Sequence, residues 1–474
     1  MRALALAALA GLAALPVRAQ APARADTLRL TLDEAVARAL AQGQEMRIAR
    51  AQILDADGQV REAVADGLPK LTGTILYTRQ FASIYQNLDS GPDTGVVGAF
   101  ANIFKNSPFG AANTWNAQLQ ATQLIFDGGK FLAGLTGARA YHRAATEQAA
   151  QTAADVTLNV KTAYLNAVYA SALVAVAEDN LAQARDQLHQ VTLFHDAGTR
   201  SDYDLLQARV DAANQEPDVI QARSGLEVAI LALKRLVNVP ADEPLTLATP
   251  VSPVEGTVPV VADTALGVAD PPQVDAAEAG VTVQEAAVKV AEGDRWPTLT
   301  VGSTFSEEAF PQQFSPFGAD YLRNWNAEIR VSIPIFQGFK TVGSIQRARA
   351  GLEEARAQRD QVRAQTALDL VQARGDVDRT FSLLSARRQT VNEAGRALHL
   401  ATVRYGNGLS TRLEVSDARL ARRQAEVNAV SATRDYLVAL ARLEHAAGHP
   451  LNLMQRALND SSSQTSASAE GMQP

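Results

Sequence analysis

The sequence predicts an α+β membrane protein in which four strands per chain join a β-barrel that continues into a long α-helical coiled coil. Three observations support this fold class: an internal duplication, two strand-like segments in each copy, and a helical stretch of unusual length. Residues 115–130 and 325–340 share Trp, Asn, Phe, Gly and Lys at a constant offset of 210. Self-similarity at a fixed offset indicates a repeated structural unit.

The repeats are predicted to span residues 20–238 and 263–457, with a Pro- and Val-rich connector at residues 239–262. Residues 458–474 are rich in Ser, which favours a disordered tail. Residues 1–19 are predicted to be a secretory signal peptide, since a basic start and an apolar run precede small residues at a cleavage position. No later segment has 18 uninterrupted apolar residues, so we expect an exported protein without a membrane-spanning helix.

Composition excludes several classes of function. The net charge of −7 gives no support for nucleic-acid binding. The absence of cysteine excludes disulfides, thiolate metal sites and acylation at an N-terminal cysteine. The 6 histidines show no ligand spacing, and no catalytic constellation is present. The sequence therefore predicts a protein that is not an enzyme and that uses no cofactor or metal.

The first repeat begins with an amphipathic helix over residues 32–67. Thr31 and Glu34 have the spacing of a capping box, and Pro69 ends the helix. Strands are predicted over 70–81 and 115–126 from the alternation of polar and apolar residues. Aromatic residues cluster around the strands of both repeats, as in barrels with interfacial aromatic belts.

A long helix is predicted to follow over residues 131–195. No Gly or Pro occurs from Ala138 to Ala197, and such a helix would be about 100 Å long at 1.5 Å per residue. A turn leads into a return helix over 202–237, which Pro217 should kink. The second repeat is predicted to have an initial helix followed by the same elements: strands 298–306 and 326–336, long helix 340–404 and return helix 412–447.

Four strands cannot close a barrel, since about eight are the minimum. An open sheet edge is not tolerated in lipid. Chains must therefore combine, and three chains would give 12 strands.

Several motifs resemble the TolC-like outer-membrane efflux channels over residues 30–450. They are, in chain order, Leu30-Thr-Leu-Asp-Glu-Ala-Val36, Leu68-Pro69, Trp296-Pro297, Ile333-Pro-Ile-Phe-Gln-Gly338, Tyr405-Gly-Asn-Gly408 and Glu414-Val-Ser-Asp-Ala-Arg419. The resemblance implies a trimeric 12-stranded barrel in the outer membrane on a helical periplasmic tunnel. Its partners would be a periplasmic adaptor, an inner-membrane pump and outer-membrane lipid. The missing cysteine is typical of the unlipidated branch.

The resemblance implies a periplasmic gate at the helical tips. Its candidate residues are Tyr405, Glu414, Asp417 and Asp204. Asp204 and Glu414 also stand where a capping box would place an acidic residue, so capping alone could explain them. Asp417 lies one turn later, outside the cap. The family arginine expected at position 410 is Ser here, and Arg412 or Arg200 could substitute as the partner of Tyr405.

The same tips match the pattern that meets adaptors in this family. The candidate docking residues are Gly198, Thr199, Ser201, Gly408, Leu409 and Thr411. The alternative is that the glycines only end helices in the left-handed conformation.

The function implied is an outer-membrane channel of a tripartite efflux or type I secretion system. The alternative from another class is a soluble periplasmic coiled-coil scaffold or adaptor. A second alternative is a channel that exports a secreted polypeptide instead of small drugs. The sequence does not distinguish between these two classes of substrate.

Overall fold

The fold is taken from a computed structural model that describes residues 28–82, 111–248, 271–311, 313–315 and 320–448. The predicted signal peptide, the Ser-rich tail and residues 249–262 of the predicted connector lie outside this part of the chain. The strands are β1 Leu28–Leu30, β2 Lys70–Arg79, β3 Asn113–Phe126, β4 Leu245–Leu247, β5 Thr298–Ala309 and β6 Tyr321–Ser332. The helices are α1 Leu32–Gln42, α2 Gln44–Ala65, α3 Lys130–Asp196, α4 Asp202–Leu236, α5 Pro272–Gly293, α6 Lys340–Gly406 and α7 Arg412–Ala446.

The first helical segment is two helices, so the prediction of one helix over 32–67 is wrong at Gly43. The chain is extended there, with φ −60° and ψ 144°. Two carbonyl groups that the break leaves without helical partners, those of Leu40 and Ala41, accept hydrogen bonds from Arg50 at 2.6 and 2.9 Å. The predicted capping box is confirmed, since Glu34 N donates to Thr31 Oγ1 at 3.3 Å and Thr31 N donates to Glu34 Oε2 at 2.9 Å.

The four longer strands form one antiparallel sheet in the order β2-β3-β5-β6. Among the described strands, the two outer ones, β2 and β6, each have one neighbour. Helices attach at one end of the sheet, where β2 begins and β3 ends, and the same holds for β5 and β6. The sheet is therefore open at both edges and stands on the helical part.

The register separates the side chains into two faces, because successive residues of a strand point to opposite sides. The polar face is rich in Thr, Asn, Gln and Ser; its members include Thr72, Thr74, Gln118, Gln120, Thr304, Asn326, Glu328 and Arg330. The apolar face carries the larger apolar side chains; its members include Leu71, Ile75, Leu119, Val301, Phe305, Trp325, Ile329 and Val331. The predicted alternation of strand 326–336 is thus reproduced as two distinct faces.

The last strand differs from its predicted bounds. It spans Tyr321–Ser332 rather than residues 326–336. Pro334 has no backbone N–H to donate to a ladder, which explains why pairing ends before it. The Trp and Phe positions shared by the two repeats identify the duplication, but they do not predict the first and last residues of this strand.

Each repeat contributes one long helix and one return helix. α3 and α6 are 67 residues long, which corresponds to about 100 Å. α4 and α7 have 35 residues each, and Pro217, where we predict a kink, lies inside α4. Within its own repeat, α3 lies along α2 and α4, and α6 lies along α5 and α7.

By length and composition alone, α3 is apolar enough over part of its length to cross a membrane. It packs along α1, α2, α4, α5 and α7, which is the environment of a bundle helix. Of that apolar stretch, 22% is buried within the single chain.

The main core lies where the return helices end. Tyr164, Leu233, Tyr436 and Leu440 are at most 1% exposed there. Tyr164 donates its hydroxyl to the carbonyl of Leu30 at 3.1 Å, which ties α3 to β1. β1 pairs in parallel with β4, a small sheet that the sequence analysis did not predict and that begins the described part of the connector.

Polar contacts between the repeats border this core. Lys161 Nζ on α3 lies 2.5 Å from Glu444 Oε2 on α7, and the Glu444 side chain is 6% exposed. Six residues earlier on α3, Asp155 Oδ1 lies 2.6 Å from His445 Nε2. The two repeats are therefore joined by polar contacts as well as by apolar packing.

Candidate functional site at the helical tips

The two helical turns have the same backbone structure, as their sequence similarity predicts. Gly198 and Gly408 adopt positive φ angles of 75° and 72°. The N–H of Thr199 donates to Phe194 O at 2.9 Å, and the N–H of Leu409 donates to Arg404 O at 2.8 Å. This is the bond that closes a helix C-terminus with a left-handed glycine. The interpretation of both glycines as helix stops is confirmed.

A complete capping box starts the return helix at the first tip. Asp204 N donates to Ser201 Oγ at 3.2 Å, and Ser201 N donates to Asp204 Oδ2 at 3.3 Å. The Ser201 hydroxyl also donates to the Asp204 carboxylate at 2.9 Å. Asp204 is half-buried and engaged in its own helix start, so the capping interpretation explains its position.

The second tip shows one half of the predicted box. Glu414 N donates to Thr411 Oγ1 at 3.3 Å. The Glu414 carboxylate accepts a short hydrogen bond from the Ser410 hydroxyl. Ser410 thus holds Glu414 near the turn. Asp417, one turn further along α7, is exposed.

A contact between the repeats involves Tyr405, the candidate gate residue at the end of α6. Arg200, in the turn of the first repeat, donates from Nη2 to the Tyr405 hydroxyl at 2.6 Å. Its guanidinium carbon also lies 5.6 Å from the centre of the tyrosine ring. Arg200 is one of the two arginines proposed from sequence to replace the missing family arginine.

The residue equivalent to Tyr405 in the first repeat is His195, and it closes its own tip. His195 Nε2 lies 2.7 Å from Asp202 Oδ1 across the turn, and Nδ1 lies 3.4 Å from Asp196 Oδ1. The hydrogen bond to Asp202, reinforced by the one to Asp196, raises the pKa of His195 above its ordinary value. A neutral imidazole has only one N–H, so donation to both carboxylates requires the protonated ring.

The sequence analysis did not identify this histidine-carboxylate contact. In the sequence, the histidines were considered only as metal ligands. A signal was present, since Asp196 and Asp202 flank the turn that His195 enters. Recognising it requires the knowledge that the turn folds back upon itself.

The candidate docking residues surround both turns. Thr199, Ser201, Gly198, Gly408 and Thr411 are exposed, and Leu409 is 70% exposed. Only Leu409 among them offers a large apolar side chain. Other large apolar side chains beside the turns, such as Leu413 and Phe194, are also exposed.

The acidic residues of the tips do not converge on one point within a single chain. In the described ranges, no group of three or more His, Asp or Glu side chains is placed to hold a metal ion. Asp204 and Glu414 are held by their own turns, and only Asp417 is left outside both caps. A carboxylate ring at the tips would need copies of these residues from several chains.

Similarity to known proteins gives independent evidence for the family of this chain. The family model described as outer membrane efflux protein matches residues 35–239 and 268–449. The pyoverdine export outer membrane protein OpmQ of Pseudomonas aeruginosa is 24% identical over 429 residues, covering 88% of this chain and 83% of OpmQ. The alkaline protease secretion protein AprF of the same organism is 27% identical over 300 residues, 59% of this chain and 60% of AprF.

A solved structure shows the same fold. The CmeC outer membrane channel of Campylobacter jejuni superposes with a TM-score of 0.73 at 17% identity, over 91% of this chain and 89% of CmeC. The duplication, the four-stranded sheet and the paired long helices are thus those of a known architecture. The chain belongs to the outer membrane efflux protein family.

Proposed function

We propose that three copies of this outer-membrane efflux protein form one export channel with a 12-stranded barrel and a helical periplasmic tunnel. The observation that carries the proposal is the open four-stranded sheet, with free edges at β2 and β6. Three chains of four strands give twelve, and pairing β2 of one chain with β6 of the next removes every edge. Closed barrels are the β structures that satisfy all backbone groups in lipid.

The two faces of the sheet fit this arrangement. The apolar face, with Ile75 at 77% and Ile329 at 74% exposed in the single chain, suits contact with lipid. Aromatic residues stand at both ends of this face. Tyr77, Trp115 and Phe314 pack together at the loop end, with ring centres 4.9 to 5.7 Å apart, and Phe336 and Phe339 lie at the helical end. Such girdles mark the two interfaces of a membrane barrel.

Export through this channel is proposed to require an inner-membrane pump as the source of energy. The channel is proposed to receive its cargo from an inner-membrane pump through a periplasmic adaptor that contacts the tips. The exposed turns around Gly198 and Gly408 and the exposed Leu409 are the docking surface proposed here. Family membership argues against the alternative of a soluble periplasmic scaffold or adaptor.

The tips are also proposed to be the gate. Tyr405 is held by Arg200, Glu414 by Ser410, and Asp204 by its capping box, so three of the four candidates are fixed at the turn. Three chains would arrange Glu414 and Asp417 as rings of carboxylates. Rings of Asp and Glu favour cations in a pore.

Cysteine crosslinking tests the trimer directly, because the chain has no cysteine of its own. Single cysteines placed together on β2 and β6, for example at Thr74 and Asn326 with neighbouring positions scanned for register, should give dimer and trimer bands in outer membranes. The matched control is Gln120 with Thr304, which are partners across β3 and β5 within one chain. That pair should crosslink without any change of apparent mass. If every β2–β6 cysteine pair gave only a membrane-embedded monomer, the trimer would be rejected.

A further inference from the structure

Charged residues are few on the polar face of the sheet. Within the described strands they are Lys70, Glu308, Glu328 and Arg330. Lys70 and Glu308 stand within the first or last two positions of their strands. Glu328 and Arg330 lie inside β6 and are separated by one residue, so they share the polar face.

Glu328 and Arg330 form an ion pair along the strand. Arg330 Nη2 lies 3.0 Å from Glu328 Oε1, and the two side chains are 69% and 49% exposed. Both signs of charge are therefore present at one level of the sheet and lie within hydrogen-bond distance of each other.

A glycine on the neighbouring strand makes room for this pair. Gly302 of β5 is the register partner of Glu328. A Cβ atom added at Gly302 would lie 3.2 Å from Glu328 Cγ and 3.4 Å from its Oε1. Glycine inside a strand weakens the strand and often marks a close approach. Here it lets the Glu328 side chain lie close to the backbone of β5.

We propose that Glu328 and Arg330 are the residues that set the charge preference of the barrel lumen. This rests on the proposed function, in which the polar face lines the lumen and three copies repeat the pair at one height. Each carboxylate is neutralised by the adjacent guanidinium, so the barrel level presents no net charge and passes solutes of either sign. Removing one partner exposes a ring of three charges of the other sign, and such rings select counter-ions.

The apolar face supplies a matched control pair. Arg323 of β6 and Glu307 of β5 form an ion pair of 2.9 Å on the opposite side of the same two strands. This pair also joins one Glu to one Arg, but it bridges β5 and β6 and lies on the other face of the sheet, outside the lumen in the proposed channel.

The test measures reversal potentials of purified channels in planar bilayers under a salt gradient at low ionic strength. Arg330→Gln should increase the cation-to-anion permeability ratio, and Glu328→Gln should decrease it. Each change should be at least about twofold, the Coulomb effect of one unit charge about 10 Å away in water. The double variant should return to the wild-type ratio. Glu307→Gln and Arg323→Gln should leave the ratio unchanged.

A second measurement restores a negative charge at one position after the channel has assembled. Single cysteines at position 328 or 307 can be modified after assembly with a negatively charged thiosulfonate, because the chain has no other thiol. Modification at 328 should change single-channel current in wild-type-like trimers, and modification at 307 should not. The inference is overturned if channels form but neither Glu328 nor Arg330 variants shift the ratio, or if the control pair shifts it equally. If wild-type protein forms no channel at all, the proposed function fails first, and this inference with it.

Discussion

Arg200 and Tyr405 join the tips of the two repeats through a hydrogen bond of 2.6 Å and a guanidinium 5.6 Å from the ring centre. The contact occurs once per chain, because the equivalents of these residues in the other repeats are Ser410 and His195. Duplication therefore produced two turns with the same backbone and different side-chain contacts. One turn is bound to its neighbour, and the other is closed by its own histidine.

We expect Arg200→Gln to weaken closure of the tips, since it removes both the hydrogen bond and the cation–π contact. Exposed contacts of this kind contribute about 0.5–1 kcal/mol each. Tyr405→Phe removes only the hydroxyl and should have a smaller effect. The measurement is the resting conductance of reconstituted channels, which should rise in the order wild type, Tyr405→Phe, Arg200→Gln.

The matched control for Arg200 is Arg223→Gln. Arg223 is an exposed arginine on α4 that pairs with Glu178 of α3 at 2.6 Å, away from the tip. Its loss should leave resting conductance unchanged. An equal rise for Arg223→Gln would show that conductance responds to general loosening of the hairpin and would contradict the latch.

His195 should make closure of the first tip depend on pH. Hydrogen bonds to the carboxylates of Asp202 and Asp196 raise the pKa of His195 in the folded chain above the ordinary value of 6.5. The stabilisation is therefore fully present below about pH 6.5 and is lost as the pH rises through the folded-state pKa.

We expect wild-type channels to become more conductive on the alkaline side of this transition. His195→Gln should remove the pH step, and Asp202→Asn should shift it to lower pH because the main cause of the raised pKa is lost. Conductance and limited proteolysis at the turn, recorded between pH 5.5 and 8.5, check both. If the conductance step had the same pH midpoint in Asp202→Asn as in the wild type, a group other than His195 would be responsible for it.

Sequence periodicity predicted the large elements because each is long or repeated. The 60 residues without Gly or Pro could form only one very long helix, and α3 is that helix. The break at Gly43 was missed, since one glycine in a helical pattern is usually tolerated. The contact of Arg200 with Tyr405 joins residues 205 positions apart, so local spacing could name Arg200 as a candidate but could not choose it over Arg412.

The proposed contact of the apolar face of the sheet with lipid gives a prediction on stability. Ile329→Arg should destabilise the membrane-inserted protein by about 2–4 kcal/mol, because it places a charge on the proposed lipid face near the middle of β6. Val331→Arg, nearer to the helical end of the strand, should cost less. Asn326→Arg on the polar face is the control and should be tolerated. Urea titration of folded protein in detergent or lipid measures these differences, and equal costs on both faces would contradict the assignment.

The buried pair between the repeats gives a second stability prediction. Lys161→Met should leave the Glu444 carboxylate, 6% exposed, without its cation and should destabilise the chain by about 3 kcal/mol. The double variant Lys161→Met with Glu444→Leu should recover most of the loss, since apolar residues can replace a buried pair. Thermal unfolding of all three variants measures this. A double variant no more stable than the single one would show that Glu444 has a further essential role.

The acidic tip residues give the last prediction, on ion block at the proposed gate. Asp417 is exposed and lies outside the cap of α7, whereas Glu414 is bound by Ser410 and donates its N–H to Thr411. Asp417→Ala should therefore weaken block by divalent cations and cation preference without loss of trimer assembly. Glu414→Ala should do the same and also weaken the start of the return helix by about 1 kcal/mol. Asp218→Ala, on α4 and away from the turn, serves as the control for the loss of one surface carboxylate. If Asp417→Ala leaves conductance, cation preference and divalent block as in the wild type, these carboxylates are ordinary surface charges and the constriction lies elsewhere along the tunnel.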